Sequence, residues 1–314
     1  MTHPKLTDIH RRRFLALSAS AAAIPSLPST GWAVGSETYG SMIGDVELTV
    51  LSDGSLTLPS GALAPAAPRE EFEALLTRTM GSLPETVEAG TNHALLRIGD
   101  DLILIDNGSG NKYQPTAGRL LDNLSLNEVD PAAVTKVVFT HAHPDHIWGT
   151  LLDDGSLALP NATYYVGETE FEFWSDPATE TQMPDEFRAF AVGARRDLLA
   201  VQDRVQLVKE GDSIASGISV LDTPGHTPGH ISVVVERGEG LIIAGDSIAS
   251  EFVSVQRPDW AFGFDAIPDV AIATRMALLD RMATDGHRIL GYHFAYPGIG
   301  QIERASDGYR YSSV

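Results

Sequence analysis

The stretch KVVFTHAHPDH, residues 136–146, joins a short apolar segment to a dense group of polar side chains. KVVFT is typical of a buried β-strand, and His141, His143, Asp145 and His146 follow it directly. Alternate side chains point the same way in an extended loop, so His141 and His143 can hold one metal ion. Asp145 and His146 lie one step further round the turn and point towards a neighbouring ion.

Three more predicted strands end in side chains that bind metals. ISVLD is followed by TPGH, which ends in His226; LIIAG is followed by Asp246; and RILGY is followed by His293. With the first group these make five imidazoles and two carboxylates. Seven donors are too many for one ion and fit two, and an aspartate is the better bridge because an imidazole does not readily bind two cations. Two divalent ions are expected, Zn²⁺ first, with Mn, Fe, Co or Ni accepting the same donors.

The stretch TPGHTPGH, residues 223–230, is a direct repeat of TPGH and places His226 and His230 four positions apart. On a helix the two rings would share one face. Pro-Gly pairs break helices and build turns, however, so this geometry does not apply. The pattern alone leaves open whether one histidine or both bind metal.

The order of predicted elements indicates an α/β fold, in one domain from residue 34 to residue 314. Residues 46–59 and 93–106 read as β-hairpins, turning at Asp-Gly and at Gly-Asp-Asp. The spacing of apolar residues predicts helices at 68–80, 115–125, 184–200 and 269–283.

The first 33 residues have the layout of an export signal, with a basic start, an alanine-rich apolar middle and a small-residue end. Paired arginines before Phe14 are typical of the twin-arginine type. A periplasmic or secreted protein is therefore expected. The absence of cysteine from the 314 residues agrees with an oxidising compartment without requiring one.

The formal net charge of −20 limits the partners. Lys5 and three arginines against Asp8 give residues 1–33 a charge of +3, so cleavage would leave −23. Such a field repels phosphate backbones and anionic membranes. We therefore expect neither nucleic acid nor a membrane as a partner, and a small neutral substrate is compatible with this charge.

Four motifs together, THAHPDH, TPGHTPGH, AGD and the histidine of GYHFAYPGIG, resemble the metallo-β-lactamase superfamily. Within it the chain is most similar to the methyl parathion hydrolases and related lactonases, through LSDGSLTLP, LILIDNG, HTPGHISVVVE and FAYPGIGQIERASDGYRY. The resemblance covers nearly all of the chain after residue 34. It implies an αββα sandwich with a dimetal site at one edge, and homodimerisation, which is common among relatives.

The resemblance also implies a role for each donor. It assigns His141, His143 and His226 to one ion, Asp145, His146 and His293 to the other, and Asp246 to the bridge. Asp145 and Asp246 are then the catalytic carboxylates, Asp246 fixing the spacing of the ions and Asp145 a candidate proton carrier. His230 would support the turn, and Asp106 would stand behind the site and orient its histidines. The family often has threonine after this aspartate, where this chain has Asn107.

The activity implied is hydrolysis of neutral esters, organophosphate triesters or lactones by a hydroxide shared between two ions. An acyl-homoserine lactone lactonase or arylesterase with incidental phosphotriesterase activity is the alternative. Predicted pocket aromatics are Tyr113, Trp174 and Phe187. Trp174 reads equally well as a core residue of the helix ETEFEFW, and Phe190 reads better as one.

Three other classes share the fold. A di-iron redox enzyme usually has a glutamate where His143 stands. A β-lactamase proper lacks the Asp-His pairing of HPDH in this form. A non-catalytic scaffold would be expected to have lost some donors, and all seven are present.

Overall fold

A computed structural model of the protein describes residues 38–314. The predicted export signal at 1–33 lies outside the described residues. Within the described part, no helix combines the length and the apolar character needed to cross a membrane.

The first half of the chain builds one seven-stranded sheet, with its strands in chain order. Strands β1 to β7 span Tyr39–Ile43, Val46–Pro59, Thr86–Ile98, Asp101–Ile105, Lys136–Phe139, Thr163–Gly167 and Val205–Val208. Pairs from β1 to β4 are antiparallel, and pairs from β4 to β7 are parallel. The change follows from the connections, because parallel neighbours need long crossovers and these carry the helices.

The second half builds a second seven-stranded sheet in the order β14-β13-β12-β11-β10-β9-β8. Strands β8 to β14 span Ser213–Ala215, Ile218–Asp222, Ile231–Val235, Leu241–Ile243, Arg288–Leu290, Ile299–Ala305 and Gly308–Ser313. Only β11 and β12 among these neighbours pair in parallel, because the longest helix crosses over between them.

Eight α-helices are described, four of them close to the expected positions. Helices α1 to α8 span Arg69–Met80, Leu120–Leu126, Pro144–Ile147, Glu168–Ser175, Pro177–Gln182, Arg188–Val201, Val253–Gln256 and Pro268–Asp285. Helix α8 illustrates how proline and glycine set the two ends of a helix. Pro268 occupies its first turn, and Gly286 ends it with a left-handed φ of 73°.

The two sheets pack face to face, and helices cover their outer faces. Val50 and Val138 of the first sheet lie in one core with Val233 and Leu290 of the second. A second core joins the first sheet to α2, α4 and α6, and another joins the second sheet to α8. This arrangement confirms the αββα sandwich and the α/β class.

One expected hairpin is wrong. Residues 46–59 form the single strand β2, which pairs with β3 along its length and has a bulge between Ser52 and Ser55. The bulge turns Asp53 inward, where its carboxylate accepts from the backbone N–H groups of Ser109, Gly118 and Leu120 at 2.7–3.1 Å. Long-range pairing therefore overrides the local Asp-Gly turn signal. The hairpin at 93–106 is confirmed as β3 and β4.

Candidate metal centre

The polar side chains predicted from the sequence meet at the carboxyl ends of central strands from both sheets. His141 to His146 follow β5, and His226 follows β9. Asp246 follows β11, and His293 follows β12. In the parallel pairs β4 with β5 and β11 with β12, the strand ends reach the same edge, so the loops converge there.

All seven donors lie together, in two groups. Cluster A is His141, His143, His226 and Asp246, and cluster B is Asp145, His146 and His293. Within each cluster one ligand atom per residue lies within 4.8 Å of the others. The six other donors divide as the resemblance implied, and Asp246, which it assigned to the bridge, is grouped with cluster A.

Asp246 stands between the clusters. Its Oδ2 atom lies 3.3 Å from His226 Nε2 of cluster A and 3.2 Å from His293 Nε2 of cluster B. Its Oδ1 atom lies 3.3 Å from His146 Nε2. One oxygen of this carboxylate therefore lies near both clusters and the other lies near cluster B, so Asp246 is placed where a bridging ligand would stand.

The donor atoms fit metal ions better than they fit one another. Four of them are buried without a hydrogen-bond partner among the described residues: His141 Nε2, Asp145 Oδ2, His146 Nε2 and Asp246 Oδ1. Buried polar atoms without partners are costly and call for an explanation. Two nitrogens bound to one tetrahedral zinc ion are about 3.3 Å apart. The distance of 3.0 Å between His226 Nε2 and His143 Nδ1 is close to that separation.

The protein holds most of these imidazoles by Nδ1, which leaves Nε2 for the site. His146 Nδ1 lies 2.8 Å from Asp106 Oδ2, and His293 Nδ1 lies 2.8 Å from the carbonyl of Gly90. His226 Nδ1 lies 3.2 Å from Asp265 Oδ1. Partners of this kind fix the tautomer and the ring orientation of a metal-binding histidine.

Asp106 has the position that the resemblance implied. It adopts a left-handed φ of 58°, and besides His146 it accepts from the backbone N–H of Thr140 at 2.7 Å. The neighbouring Asn107 side chain, with its amide oriented to suit its surroundings, donates to the carbonyls of His146 and Ile147 at 3.1 and 3.2 Å. Asn107 therefore stabilises the turn that carries Asp145 and His146 of cluster B.

Asp265 and Arg275 are functional candidates that sequence reasoning missed. The fully buried Arg275 donates to Asp265 at 3.0 Å, to the carbonyl of Ser247 at 3.0 Å and to that of Trp260 at 2.9 Å. It thereby supports both the partner of His226 and the turn that carries Asp246. Arg275 stands at an ordinary position of a predicted helix, so no local signal marks it.

Burial and charge act differently on the two clusters. Burial and neighbouring imidazoles lower the pKa of His141 and of His143 well below the ordinary value. Burial opposes the charge on His146 too, but Asp145, Asp246 and Asp106 hold its pKa well above the ordinary value. Neutral imidazole is the form that binds metal, and the lowered pKa keeps His141 and His143 in that form at neutral pH.

His230 has both ring nitrogens occupied by the protein. Its Nδ1 lies 2.8 Å from Thr223 Oγ1, and its Nε2 accepts from the backbone N–H of Asp246 at 3.0 Å. Its Nε2 lone pair is therefore used by the turn that carries Asp246, and the structural role expected for His230 stays a prediction.

The clusters form the polar end of a cleft. Its apolar lining is Leu56, Leu58, Tyr113, Phe190, Phe262 and Phe264. An adjoining apolar cavity is lined by His143, Phe173, Trp174, Met183, Phe187, Phe190 and others.

The predicted pocket aromatics are therefore near the site, at different places. Tyr113 lines the cleft, and Phe187 lines the adjoining cavity. Trp174 is 1% exposed and satisfies both readings, because it belongs to a core and also lines the cavity. Phe190, which was expected to be a core residue, also lines both the cleft and the adjoining cavity. Phe262 and Phe264 lie on an irregular segment that gave no signal.

Comparison with known proteins agrees with this geometry. The sequence profile of the metallo-β-lactamase superfamily matches residues 87–293. The chain is 32% identical to the solved structure of the hydrolase AbOPH in the β-lactamase superfamily, with a TM-score of 0.82 over 88% of this chain and 97% of that one. It is 25% identical to AidC, a dizinc quorum-quenching lactonase solved with the product N-hexnoyl-L-homoserine, with the same TM-score and coverage.

A curated relative shows the same relationship over a shorter stretch. The probable metallo-hydrolase YqjP of Bacillus subtilis is 29% identical over 163 residues, 47% of this chain and 50% of that protein. The two His/Asp clusters, the fold and these relatives identify a metal-dependent hydrolase, and the chain belongs to the metallo-β-lactamase superfamily.

Proposed function

We propose that this protein hydrolyses small neutral lactones and esters, phosphotriesters included, with two divalent ions held by clusters A and B. The observation that carries the proposal is the apolar lining beside the paired clusters, which includes Phe173, Met183 and Phe187. It offers an acyl chain or an aryl ring a place next to the reacting group.

The lining of the two spaces favours a neutral substrate. Neither contains a lysine or an arginine among the described residues. Carboxylate and phosphate groups are usually bound by such cations. A substrate that carries a negative charge away from the reacting group, such as the carboxylate of a β-lactam, would find no cationic side chain in this lining.

Two divalent ions at this site would lower the pKa of a shared water and polarise the carbonyl or phosphoryl oxygen of the substrate. Asp246 sets the spacing between the clusters, and Asp145 is the candidate proton carrier to the leaving group. Burial, with a contribution from Asp145, raises the pKa of Tyr113 above its ordinary value. Tyr113, which lines the cleft, therefore stays protonated at neutral pH.

The relatives support an order in which substrates should be tested. AidC is described as a quorum-quenching lactonase and was solved with its product, N-hexnoyl-L-homoserine. We therefore place lactones with an acyl chain first, and phosphotriesters such as methyl parathion and aryl esters next. Zn²⁺ as the resident metal, export to the periplasm and homodimerisation are part of the same proposal.

The test is the kcat/KM of one metal-loaded preparation for hexanoyl-homoserine lactone, a methyl phosphorothioate triester and an aryl ester. We expect the lactone to be hydrolysed best. A higher value for the triester would make the protein a phosphotriesterase first, and negligible values for all three would overturn the proposal and favour the redox alternative.

A cavity-filling variant tests where the acyl chain lies. Met183→Trp should raise KM for the hexanoyl lactone and leave γ-butyrolactone unaffected, because Met183 lines only the apolar cavity. Met276→Trp is the matched control, since Met276 is 46% exposed on α8. Equal KM values in both variants would contradict the assignment.

A further inference from the structure

Glu170 is a buried carboxylate that the seven donors do not include. It lies on α4, its relative exposure is 0%, and no lysine or arginine pairs with it among the described residues. An isolated buried charge is expensive unless hydrogen bonds compensate it. The presence of a buried carboxylate in a helix that otherwise packs on the core therefore calls for a structural or functional explanation.

Four donors converge on this carboxylate, two on each oxygen. Oε1 accepts from the backbone N–H of Ala142 at 2.9 Å and from Trp174 Nε1 at 2.7 Å. Oε2 accepts from Thr227 Oγ1 at 2.7 Å and from the backbone N–H of Gly229 at 3.0 Å. Hydrogen bonds to an ionised group are shorter and stronger than neutral ones, so this arrangement is rigid.

The four donors come from the surroundings of cluster A. Ala142 stands between His141 and His143, and Thr227 directly follows His226. The ring of Trp174 contacts that of His143 edge-on, with the ring centres 5.8 Å apart. No donor to Glu170 belongs to a residue next to Asp145, His146 or His293.

The two loops that Glu170 joins belong to different sheets. The loop with Ala142 follows β5 of the first sheet, and the loop with Thr227 follows β9 of the second. Three imidazoles bind one ion only if the loops keep their separation to within about 0.5 Å. The backbone bond from the N–H of Ile231 to the carbonyl of Thr140 at 2.9 Å joins the two loops at one point. Glu170 adds contacts to the backbone of Ala142 and Gly229 further along them.

We propose that Glu170 is a positioning residue for cluster A, holding His141, His143 and His226 at the spacing that one metal ion requires. The inference rests on the proposed two-metal site. It assigns Glu170 no contact with substrate or metal, and it predicts that loss of the carboxylate weakens one metal site and spares the other.

The experiment measures zinc affinity by competition with a chromophoric chelator in single-cluster backgrounds. His293→Ala leaves cluster A as the intact site, and His226→Ala leaves cluster B. Adding Glu170→Gln should weaken zinc binding by about 10-fold or more in the first background and leave it unchanged in the second. Glutamine keeps the size of the side chain but turns an NH₂ group towards two of the four donors.

Controls separate positioning from folding. Glu172→Gln, an exposed position of the same helix, should leave both affinities unchanged. Thr227→Val and Trp174→Phe each remove one donor without leaving a misfit amide. They should weaken cluster A in the same direction by about threefold, and they decide the question if Glu170→Gln does not fold.

The outcomes distinguish the two proposals. If the wild-type protein binds two zinc ions and Glu170→Gln affects neither cluster, or both equally, only the role of Glu170 is overturned. If the wild-type protein takes up fewer than two ions, the two-metal site fails and the role of Glu170 fails with it.

Discussion

His226 and His230 occupy equivalent places in TPGHTPGH and have different surroundings. His226 is held by Asp265 at Nδ1 and presents Nε2 to cluster A. His230 uses Nδ1 with Thr223 and Nε2 with the backbone of Asp246. A histidine with both nitrogens engaged in the protein has no lone pair left for a metal ion.

Substitution of each histidine should therefore have a different result. His226→Ala should lower the metal content from two ions to one and abolish most activity, because cluster A loses an imidazole. His230→Ala should keep both ions and reduce the free energy of unfolding by about 2 kcal/mol, because the N–H of Asp246 loses its partner. Elemental analysis and thermal unfolding measure both effects.

His287→Ala, which changes a histidine outside both clusters, is the control and should keep two ions. Equal loss of metal in the His226 and His230 variants would show that both are ligands and would contradict the assignment.

At the scale of elements, the two glycines of the same stretch allow close packing against helices. Gly225 has a φ of 126°, and a Cβ there would lie 2.2 Å from the backbone nitrogen of Ala271 in α8. A Cβ at Gly229 would lie 2.0 Å from the backbone nitrogen of Glu170 in α4. Each Pro-Gly pair thus brings its loop against a different helix.

Gly229→Ala should therefore destabilise the fold by about 1–3 kcal/mol, because α4 must move away from the loop. Gly61→Ala is the matched control, since a Cβ at Gly61 meets nothing within 4 Å. Thermal or denaturant unfolding compares the two. An unfolding midpoint that falls no further for Gly229→Ala than for Gly61→Ala would show that α4 and the loop are packed less tightly than the structure indicates.

Strand β2 shows a limit of reading elements locally. Asp53-Gly54 is a strong turn signal, and Gly54 does adopt a φ of 116°. The chain nevertheless continues in the same direction, because eleven residues of β2 find partners on β3. The Asp-Gly pair correctly indicated an irregular backbone at this point, but the chain reversal predicted from it was wrong.

For the whole molecule, the metal centre is also a connection between the sheets. Cluster A takes His141 and His143 from the first sheet and His226 and Asp246 from the second. An ion bound there would cross-link the two halves of the sandwich. Binding to the folded state alone stabilises that state by mass action.

Removal of metal should consequently lower the unfolding midpoint of the whole domain by about 5–10 °C, which zinc should reverse. Calorimetry with and without a chelator measures the shift. The double variant His226→Ala with His293→Ala should show no shift, because each cluster has lost a ligand. An unchanged midpoint for the wild-type protein would contradict a structural contribution of the ions.

The sequence by itself determined the class of the fold and which seven side chains would come together as candidate donors. Strands β5, β9, β11 and β12 are short apolar runs, and each is followed within a few residues by its donors, so local pattern was sufficient. Donors that follow the ends of central strands have little freedom to be elsewhere, because the sheet fixes the roots of the loops.

Only the tertiary structure decided what surrounds the donors. Asp53, Glu170, Asp265 and Arg275 act through partners far away in the chain, such as Glu170 with Ala142 and Gly229. The same holds for the cleft, where Leu56 and Phe262 meet Phe190. Such contacts depend on how the two sheets and their helices pack, and a carboxylate on a helix carries no local mark of the backbone amides it will meet.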